Sequence, residues 1–274
     1  MEYTLNSMYG ISGKTVVVTG GCGGIGYGLC QALSALGAKV AILDMNPEIS
    51  AKKAAELEAQ TGNMVRGYAA NVADEPSVEA AFEKIEANFG SVYGLVNCAG
   101  ISHVTPLNKM PMDAWQRVID VNLRGTVICS KIAQRYMRKQ RVGRIINISS
   151  LASTVGKVGY TAYTPSKAAI DGFTYTLAVE LGRLNITVNA IAPVFVLTEI
   201  NKKQWAGVAN IEEKMSEGNP MGKICSPQRL AGLMVFLLSD AADFITGEVI
   251  GCNGGMTHGL VSPMFPQETY EDEQ

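Results

Sequence analysis

Short apolar segments rich in β-branched residues alternate along the chain with longer stretches of helical periodicity. Seven strand-like segments occupy residues 15–18, 39–43, 64–68, 92–96, 144–148, 186–192 and 248–251. Two of the intervening stretches carry apolar stripes at helical spacing, formed by Val78, Phe82, Ile85 and Phe89 and by Leu230, Leu233, Met234, Leu237 and Leu238. Strands that alternate with helices are typical of a mainly parallel sheet, because each helix carries the chain back across one face of the sheet. The pattern therefore predicts an α/β fold with a seven-stranded, mainly parallel sheet and helices on both of its faces.

The chain shows no internal boundary. No stretch rich in proline, glycine and serine divides it and no repeat is visible, so residues 13–261 are expected to form a single domain. Residues 1–12 are expected to be an N-terminal extension. Residues 198–226 form a long, mixed connection, which is predicted to be a lid over a substrate site. Residues 262–274 carry two prolines and four acidic residues and are predicted to be an acidic surface tail.

Composition narrows the possible classes of protein. Among the 274 residues, 47% are hydrophobic and 18% are charged, which is enough apolar material for a large core and a buried subunit interface. A net charge of -2 without a basic cluster argues against nucleic acid as a partner. The first ten residues lack an apolar signal core, and no apolar run approaches the length of a membrane span. The six cysteines are scattered and the two histidines lie at no metal-ligand spacing from them, so we expect reduced thiols in a cytoplasmic protein without a metal site.

A glycine-rich turn lies where the first predicted strand becomes the first predicted helix. Its sequence is Gly-Gly-Cys-Gly-Gly-Ile-Gly at residues 20–26. Glycines at such a point let the backbone approach a pyrophosphate, and a helix N-terminus supplies free N–H groups. Asp44 ends the second strand 18 residues after Gly26, where a carboxylate accepts hydrogen bonds from the adenosine ribose. The combination predicts a Rossmann-type, doubly wound dinucleotide-binding fold, against the alternative of a merely flexible turn.

Asp44 also bears on the choice of dinucleotide. A 2′-phosphate beside its carboxylate would suffer like-charge repulsion. No Arg or Lys is expected nearby to bind that phosphate, because Met45 and Asn46 follow Asp44 and the glycine turn offers Cys22 and Gly23. The sequence therefore predicts NAD(H) rather than NADP(H) as the cofactor.

A second candidate group lies near the middle of the chain. Ser150 is followed by Tyr163, and Lys167 comes four residues later, on the same face of a helix that Pro165 is expected to begin. An unperturbed tyrosine has a pKa of about 10, and a lysine charge nearby would lower it. The serine hydroxyl could hold a substrate oxygen. Together these groups predict proton transfer to and from an alcohol or carbonyl, although a tyrosine and a lysine at this spacing also occur by chance in many helices.

With these motifs in order, the chain resembles the short-chain dehydrogenase/reductase family from about Gly13 to about Thr257. Asn122, Ser150, Tyr163 and Lys167 resemble the family's catalytic tetrad. The cofactor-binding residues that the resemblance implies are Gly20, Cys22, Gly23, Gly24, Ile25, Gly26, Asp44, Met45, Asn71, Val72, Asn97, Ala99, Gly100, Tyr163, Lys167, Pro193, Val196 and Thr198. Three positions depart from the family's pattern: Asn71 replaces an aspartate, Cys98 replaces an asparagine and Val194 replaces a glycine.

The resemblance implies an NAD-dependent oxidoreductase that interconverts a secondary alcohol and a ketone by hydride transfer. Tyr163 would be the general acid in reduction and the general base in oxidation. Lys167 would lower the pKa of Tyr163 and bind the nicotinamide ribose, and Ser150 would orient the substrate oxygen. Asn122 would hold a water that connects Lys167 with bulk solvent.

The substrate is left open by the sequence. The candidate substrate-binding residues are Ser102, His103, Ser150, Leu151, Ser153, Val158, Tyr163, Val194, Phe195 and Trp205. This mixture suits a sugar, polyol or sugar acid, and alternatively a steroid or another apolar hydroxy compound; a 3-oxoacyl reductase is a third possibility. A protein that binds NAD without turnover, as a regulator or scaffold, is the alternative from another class.

The segment 168–181 has apolar residues on more than one helical face. Ala169, Phe173 and Leu177 form one row, and Ile170 and Leu181 belong to another. Such a helix is buried on both sides. We expect one side to meet the sheet and the other a partner subunit, in a homotetramer or a homodimer.

Overall fold

A computed structural model of the protein describes residues 8–198 and 210–257. Within these residues, seven strands form one sheet in the order β3-β2-β1-β4-β5-β6-β7, and every neighbouring pair is parallel. The strands are β1 (Thr15–Thr19), β2 (Lys39–Asp44), β3 (Val65–Ala69), β4 (Gly94–Asn97), β5 (Gly143–Ile148), β6 (Ile186–Pro193) and β7 (Val249–Cys252). The predicted Rossmann-type fold with seven strands is confirmed, and each predicted strand lies within two residues of the observed one.

Helices follow most of the strands. They are α1 (Gly24–Ala35), α2 (Pro47–Thr61), α3 (Glu75–Phe89), α4 (Met112–Ile119), α5 (Gly125–Gln140), α6 (Tyr163–Leu181), α7 (Ile211–Ser216) and α8 (Pro227–Leu238). The beginnings of α2, α3 and α8 carry a proline in the first turn, where a missing backbone N–H costs nothing. Asn46 also caps α2, because its side-chain oxygen accepts from the Ile49 N–H at 2.9 Å. These local signals explain why the helices begin where the periodic stretches do.

Two apolar layers hold the helices on the two faces of the sheet. One layer joins the sheet to α3, α5 and α6 and includes the predicted stripe Val78, Phe82, Ile85 and Phe89. The other joins it to α1, α2 and α8 and includes Leu230, Met234, Leu237 and Leu238. Each buried aliphatic or aromatic side chain contributes roughly 1.5–3 kcal/mol. The sheet between these layers is therefore a rigid support for groups at its edges.

The strand order reverses direction between β1 and β4. In doubly wound folds a crevice opens at this point, outside the carboxyl ends of the strands. The glycine turn follows β1, Asp44 ends β2 and Asn97 ends β4. The topology therefore brings the separate sequence motifs to one edge of the sheet.

The described part of the N-terminal extension packs on the domain. Ile11 is buried in the layer beneath α8, and the ring of Tyr9 lies 6.3 Å from that of Phe236. The folded unit therefore begins before Gly13. In the predicted lid, residues 199–209 lie outside the described residues, and so does the predicted tail at 262–274. Among the helices of the described residues, none combines the length and apolar character that crossing a bilayer demands.

Candidate active site

The glycine turn lies in close contact with two neighbouring segments. Gly20 has φ of +63°, and a β-carbon there would lie 2.8 Å from the Cα of Ala99. A β-carbon on Gly24 would collide with the side chain of Thr198. Only glycine permits this backbone conformation and these approaches. The turn is thus held between the end of β4 and the segment after β6.

The N-terminus of α1 fits an anionic ligand. Its N-cap residue is Gly23. Because glycine has no side chain, no N-cap side chain accepts from the first N–H groups of the helix, and the first turn carries no acidic residue. Uncapped N–H groups and the positive end of the helix dipole attract a phosphate. The donor set and the close backbone approach therefore suit the pyrophosphate of a dinucleotide.

Asp44 connects the end of β2 with the glycine turn. Its carboxylate accepts from the backbone N–H of Cys22 at 3.0 Å and from that of Met45 at 2.8 Å. Burial, the larger cause, and the negative charge of Asp44, the next, raise the pKa of the Cys22 thiol to about 12. Cys22 is therefore a neutral thiol that packs beside the turn.

The surroundings of Asp44 correct one expectation. Lys53 on α2 lies with its Nζ 3.9 Å from the ring centroid of Tyr27, and its charge acts on the Cys22 thiol. The statement that this region offers no cation is therefore wrong: helix α2 returns a lysine to it. The sequence neighbours Met45 and Asn46 gave no sign of this, because the approach depends on how α2 packs against α1.

A buried polar network supports the end of β4. Asn97 donates to the Ser130 hydroxyl at 3.0 Å and to the Asn147 side chain at 2.9 Å. The Thr19 hydroxyl accepts from the backbone N–H groups of Cys98 and Ala99 at 3.0 and 3.1 Å. Cys98 is itself a thiol whose pKa burial raises to about 12. These bonds fix the Asn97–Gly100 segment relative to β1 and β5.

Asn122 lies in a π-helical turn, Asp120–Arg124, that joins α4 to α5. Its side chain is buried, accepts from the Ile101 N–H at 2.8 Å, and donates to the Ile101 carbonyl at 3.0 Å and the Ser166 hydroxyl at 3.0 Å. Its main-chain carbonyl accepts from the Thr126 hydroxyl at 2.7 Å. Such π turns are frequent at functional sites. Here the turn directs one asparagine at both the segment after β4 and α6.

Ser166 was not predicted from the sequence. Its hydroxyl donates to the main-chain carbonyl of Tyr163 at 2.7 Å and accepts from Asn122. It therefore joins two predicted catalytic residues. The available signal was its place directly before Lys167, on the buried side of the same helix turn.

Tyr163 begins α6, and the Ser150 side chain is close enough to its phenol to act on the pKa of that phenol. Ser150 follows β5, and its oxygen also accepts from the Ala152 N–H at 3.1 Å. Burial raises the pKa of the Tyr163 phenol, and the interaction with Ser150 lowers that pKa by less. A lowered pKa was expected from the sequence. The chain's own groups give the opposite direction, because desolvation of the phenolate outweighs them.

Lys167 is buried one turn further along α6. Its Nζ donates to the Ile148 carbonyl at 2.7 Å and lies 5.6 Å from the Tyr163 ring centroid. Burial lowers the pKa of its ammonium to about 8, against smaller interactions with Cys98 and Asp171 that raise it. The lysine is therefore close to its titration point near neutrality. A β-carbon on Gly100 would lie 3.3 Å from the Asn122 Oδ1 and 3.7 Å from the Lys167 Nζ, so Gly100 lies beside both side chains.

The remaining predicted cofactor residues surround the same edge. Val72 is buried against Gly125, while Asn71 is exposed and its side chain accepts from the Ala73 N–H at 3.1 Å. Ile25 packs against the core, and Met45 is exposed. Pro193 ends β6, and Val196 forms a short parallel bridge with Cys225.

The predicted substrate residues fall into two loops beside Tyr163. The loop with Ser102 and His103 follows β4, and the loop with Leu151, Ser153 and Val158 follows β5. The Thr105 N–H donates to the Gly159 carbonyl at 3.0 Å, which joins the two loops. The Tyr160 ring lies 5.4 Å from the Tyr163 ring, tilted by 42° against it.

The other predicted substrate residues lie elsewhere. Val194 and Phe195 are half-buried after β6, and Val194 packs on the apolar layer beneath α8. Trp205 lies outside the described residues. In residues 8–198 and 210–257, no group of three or more His, Cys, Asp or Glu side chains is placed to hold a metal ion.

Comparison with known proteins identifies close relatives. A family model described as enoyl-(acyl carrier protein) reductase matches residues 10–257. The 3-oxoacyl-(acyl-carrier-protein) reductase FabG of Aquifex aeolicus (strain VF5) is 38% identical over 90% of this chain and 98% of its own. The D-threitol dehydrogenase of Mycolicibacterium smegmatis (strain ATCC 700084 / mc(2)155) is 34% identical over 93% of this chain and 97% of its own.

Solved structures share the fold over nearly the whole chain. An NAD+-bound xylitol dehydrogenase superposes with a TM-score of 0.83 at 31% identity, covering 89% of this chain and 99% of that one. A gluconate 5-dehydrogenase from Burkholderia cenocepacia J2315, in complex with NADP and tartrate, gives 0.87 at 29% identity, covering 93% and 99%. Proteins of this shape thus include some solved with NAD and some solved with NADP.

Proposed function

Because the chain belongs to the short-chain dehydrogenase/reductase family and is an oxidoreductase acting on CH–OH donors with a nicotinamide cofactor, we propose that it interconverts a secondary alcohol and a ketone with NAD(H), and that Tyr163 is its general acid and base. One observation carries the proposal. The Tyr163 phenol, with Ser150 close beside it, lies one helical turn from the buried Lys167, at the same edge of the sheet as the glycine turn.

The proton step follows from these groups. A nicotinamide cofactor bound along the glycine turn supplies or accepts the hydride. Tyr163 donates its phenolic proton to the substrate oxygen in reduction and accepts it in oxidation. Its raised pKa keeps the phenol protonated at neutral pH, which favours the acid role. Ser150 holds the substrate oxygen beside the phenol, so the transfer occurs over one hydrogen bond.

Lys167 and Asn122 support that step. The Lys167 ammonium stabilises charge that develops on the phenol and is available to the ribose hydroxyls of the cofactor. Asn122 fixes the Ile101 backbone and, through Ser166, the first turn of α6. This arrangement supports a positioning role for Asn122, and the water relay implied by the family resemblance remains a prediction.

The phenol proposal is tested with Tyr163→Phe. We expect turnover to fall by at least about a hundredfold, since general acid catalysis contributes about 10²–10⁴-fold, while the Kd for NADH changes by less than about threefold. Tyr160→Phe is the matched control, because that ring is 5.4 Å away and carries the same hydroxyl. If Tyr163→Phe keeps most of the activity, the assignment fails.

The preference for NAD rests on the Asp44 carboxylate. Its two backbone bonds fix it at the end of β2, where it repels a 2′-phosphate. Asp44→Ala is expected to improve kcat/KM for NADPH by about tenfold or more and to weaken NADH. Lys53→Ala tests whether the Lys53 charge binds a 2′-phosphate against the repulsion from Asp44. If the wild type has strong activity with NADPH and Lys53→Ala abolishes it, Lys53 rather than Asp44 determines the cofactor preference.

The proposed substrate is a sugar, polyol or sugar acid. D-threitol and xylitol dehydrogenases are among the relatives and structural neighbours, which supports this class. Another observation favours an apolar hydroxy compound such as a steroid. Large apolar side chains on the loops after β4 and β5 and at the start of α4 are exposed, namely Val104, Leu107, Met112, Val155 and Val158.

A panel of alcohols distinguishes these classes. Polyols, sugar acids, steroids and simple secondary alcohols would each be offered with NAD, and NADH absorbance followed. Turnover of polyols supports the first class, and turnover of steroids alone would replace it. Tight NADH binding without turnover of any alcohol or ketone would instead support a non-catalytic regulator, and a 3-oxoacyl reductase would reduce acetoacetyl thioesters.

Assembly and location complete the proposal. The outer face of α6 exposes Ala168, Gly172, Tyr175 and Val179, with Val179 85% exposed. An exposed apolar stripe on a helix supports association with a second copy, as a homodimer or homotetramer. The six cysteines are free thiols, which supports a reducing cytoplasm.

A further inference from the structure

Two cysteines from distant parts of the chain meet beside the segment that follows β6. Cys225 precedes α8, and Cys252 ends β7. The Cys225 Sγ lies 3.7 Å from the Ser226 carbonyl, and the Cys252 Sγ lies 3.9 Å from the Arg229 carbonyl. The Arg229 N–H donates to the Ser226 carbonyl at 3.0 Å, so both sulfurs face the same first turn of α8. The two thiols are close enough for each to act on the pKa of the other, and both are free.

Their backbone positions connect them to the cofactor edge. Cys252 is the partner of Pro193 in the β6–β7 register, and Cys225 pairs with Val196. The Leu197 N–H donates to the Cys225 carbonyl at 3.0 Å. Thr198 in turn lies against Gly24 of the glycine turn. A shift of Cys225 is therefore transmitted to the glycine turn through the segment 196–198.

The pair is chemically unequal. The interaction with Cys225 and the Arg229 charge lower the pKa of Cys252 to about 7, and the interaction with Cys252 raises the pKa of Cys225. Cys252 is half-buried, whereas Cys225 is buried. Cys252 is thus the thiolate that a small oxidant would meet, with Cys225 directly behind it.

We propose that Cys225 and Cys252 are a redox pair: a peroxide oxidises them to a reversible disulfide, and formation of that bond displaces the segment 193–198. The Cys252 sulfur attacks one peroxide oxygen, the O–O bond breaks, and one water leaves, which gives a sulfenic acid. The Cys225 sulfur then attacks the Cys252 sulfur, the S–O bond breaks, and a second water leaves. The two thiols are oxidised by two electrons and hydrogen peroxide is reduced to two waters. A dithiol such as dithiothreitol reverses the bond.

The bond would change the cofactor site. A disulfide requires an S–S distance of about 2.05 Å, which is much shorter than a thiol–thiol hydrogen bond. Cys225, and with it Val196 to Thr198, must move towards β7. Displacements of about 1 Å in positioning groups cost up to about a hundredfold in rate. This consequence for activity rests on the proposed function, whereas formation of the disulfide does not.

The test uses the reduced full-length protein, equimolar hydrogen peroxide and peptide mapping without reductant. We expect a cross-linked peptide pair containing Cys225 and Cys252, lighter by two hydrogens, and a KM for the cofactor at least about fivefold higher. Dithiothreitol should restore both. After peroxide treatment, Cys225→Ser and Cys252→Ser should each keep the KM that the same variant has before treatment. Cys129→Ala removes a buried thiol in the opposite layer and should respond to peroxide like the wild type.

Three outcomes would overturn the proposal. Oxidation of Cys252 to sulfinic acid without a cross-link would show that Cys225 does not resolve it. A cross-link elsewhere would assign the redox chemistry to other cysteines. A Cys225–Cys252 cross-link that leaves the Kd for NADH and the KM unchanged would refute the displacement. If the protein binds no NADH in either redox state, the proposed function fails while the mapped disulfide still decides the redox pair.

Discussion

At the scale of single residues, the sequence predicted that Tyr163 and Lys167 lie on one helix face but not the direction in which their surroundings shift the pKa of Tyr163. Tyr163 and Lys167 share a helix, so their spacing alone places them on one face. Their pKa values depend on burial, which comes from the packing of α6 on β5 and cannot be obtained from spacing. For the same reason Ser166 was not predicted, because its bond to Asn122 forms only where the π turn packs against α6.

The lowered pKa of Lys167 predicts how cofactor binding depends on pH. Burial holds the ammonium at a pKa of about 8, so its charge is present below that pH and lost above it. Tyr163 and Cys98, the neighbouring phenol and thiol, have raised pKa values and stay neutral across this range. The Kd for NADH should be constant from pH 6.5 to 7.5 and then rise by up to about tenfold per unit.

Fluorescence titration of NADH between pH 6.5 and 9.5 measures this dependence. Lys167→Met should bind more weakly and show no rise, because it has no charge to lose. A wild-type Kd that stays flat to pH 9.5 would mean that Lys167 either keeps its proton or does not bind the cofactor.

At the scale of elements, the strands and helices were predictable because burial on both faces of a parallel sheet leaves continuous apolar segments. The π turn at Asp120–Arg124 was not, since its sequence continues the helical pattern of α4 and α5. Pro165 was expected to begin α6, and the helix begins two residues earlier, at Tyr163. A proline in the first turn is compatible with either start. Local rules therefore located the elements to within a turn, while tertiary contacts set the exact ends.

The buried charge of Arg144 tests how much an ion pair between the sheet and the segment after α8 contributes to the free energy of unfolding. Arg144 on β5 is almost fully buried, and its guanidinium lies 3.1 Å from the half-exposed Asp240, just after α8. Asp240→Asn would leave the guanidinium with main-chain partners such as the Gly143 carbonyl at 2.9 Å. Because one partner is exposed, we expect a loss of about 1–2 kcal/mol, below the 3–5 kcal/mol of a fully buried pair.

Urea unfolding followed by circular dichroism measures that loss. Asp243→Asn, an exposed acid three residues away, is the control and should change the free energy of unfolding by less than about 0.5 kcal/mol. Equal effects of the two substitutions would show that the ion pair with Arg144 is not the cause.

At the scale of the whole molecule, the fold collects on one edge of the sheet residues that are up to 178 positions apart, from Gly20 to Thr198. Sequence order alone could not show that Gly24 touches Thr198, or that Cys225 meets Cys252. Both contacts arise because the segment after β6 runs across the ends of neighbouring elements. The same geometry makes this segment the point where the cofactor site and the thiol pair influence one another.

The outer face of α6 is where the predicted assembly of the protein can be tested. Its inner residues Ile170, Leu177 and Leu181 are buried against the sheet, but Tyr175 and Val179 project from the other side. If a second copy covers this face, sedimentation of the wild type gives a dimer or tetramer, and Val179→Asp shifts it towards the monomer without altering the circular dichroism spectrum. The reason is that the substitution buries an unpaired charge in the interface, which costs several kcal/mol. Glu180→Gln, an exposed position beside it, should leave the assembly intact. A wild type that sediments as a monomer at all concentrations would rule this interface out and leave the apolar stripe on α6 as ordinary exposed surface.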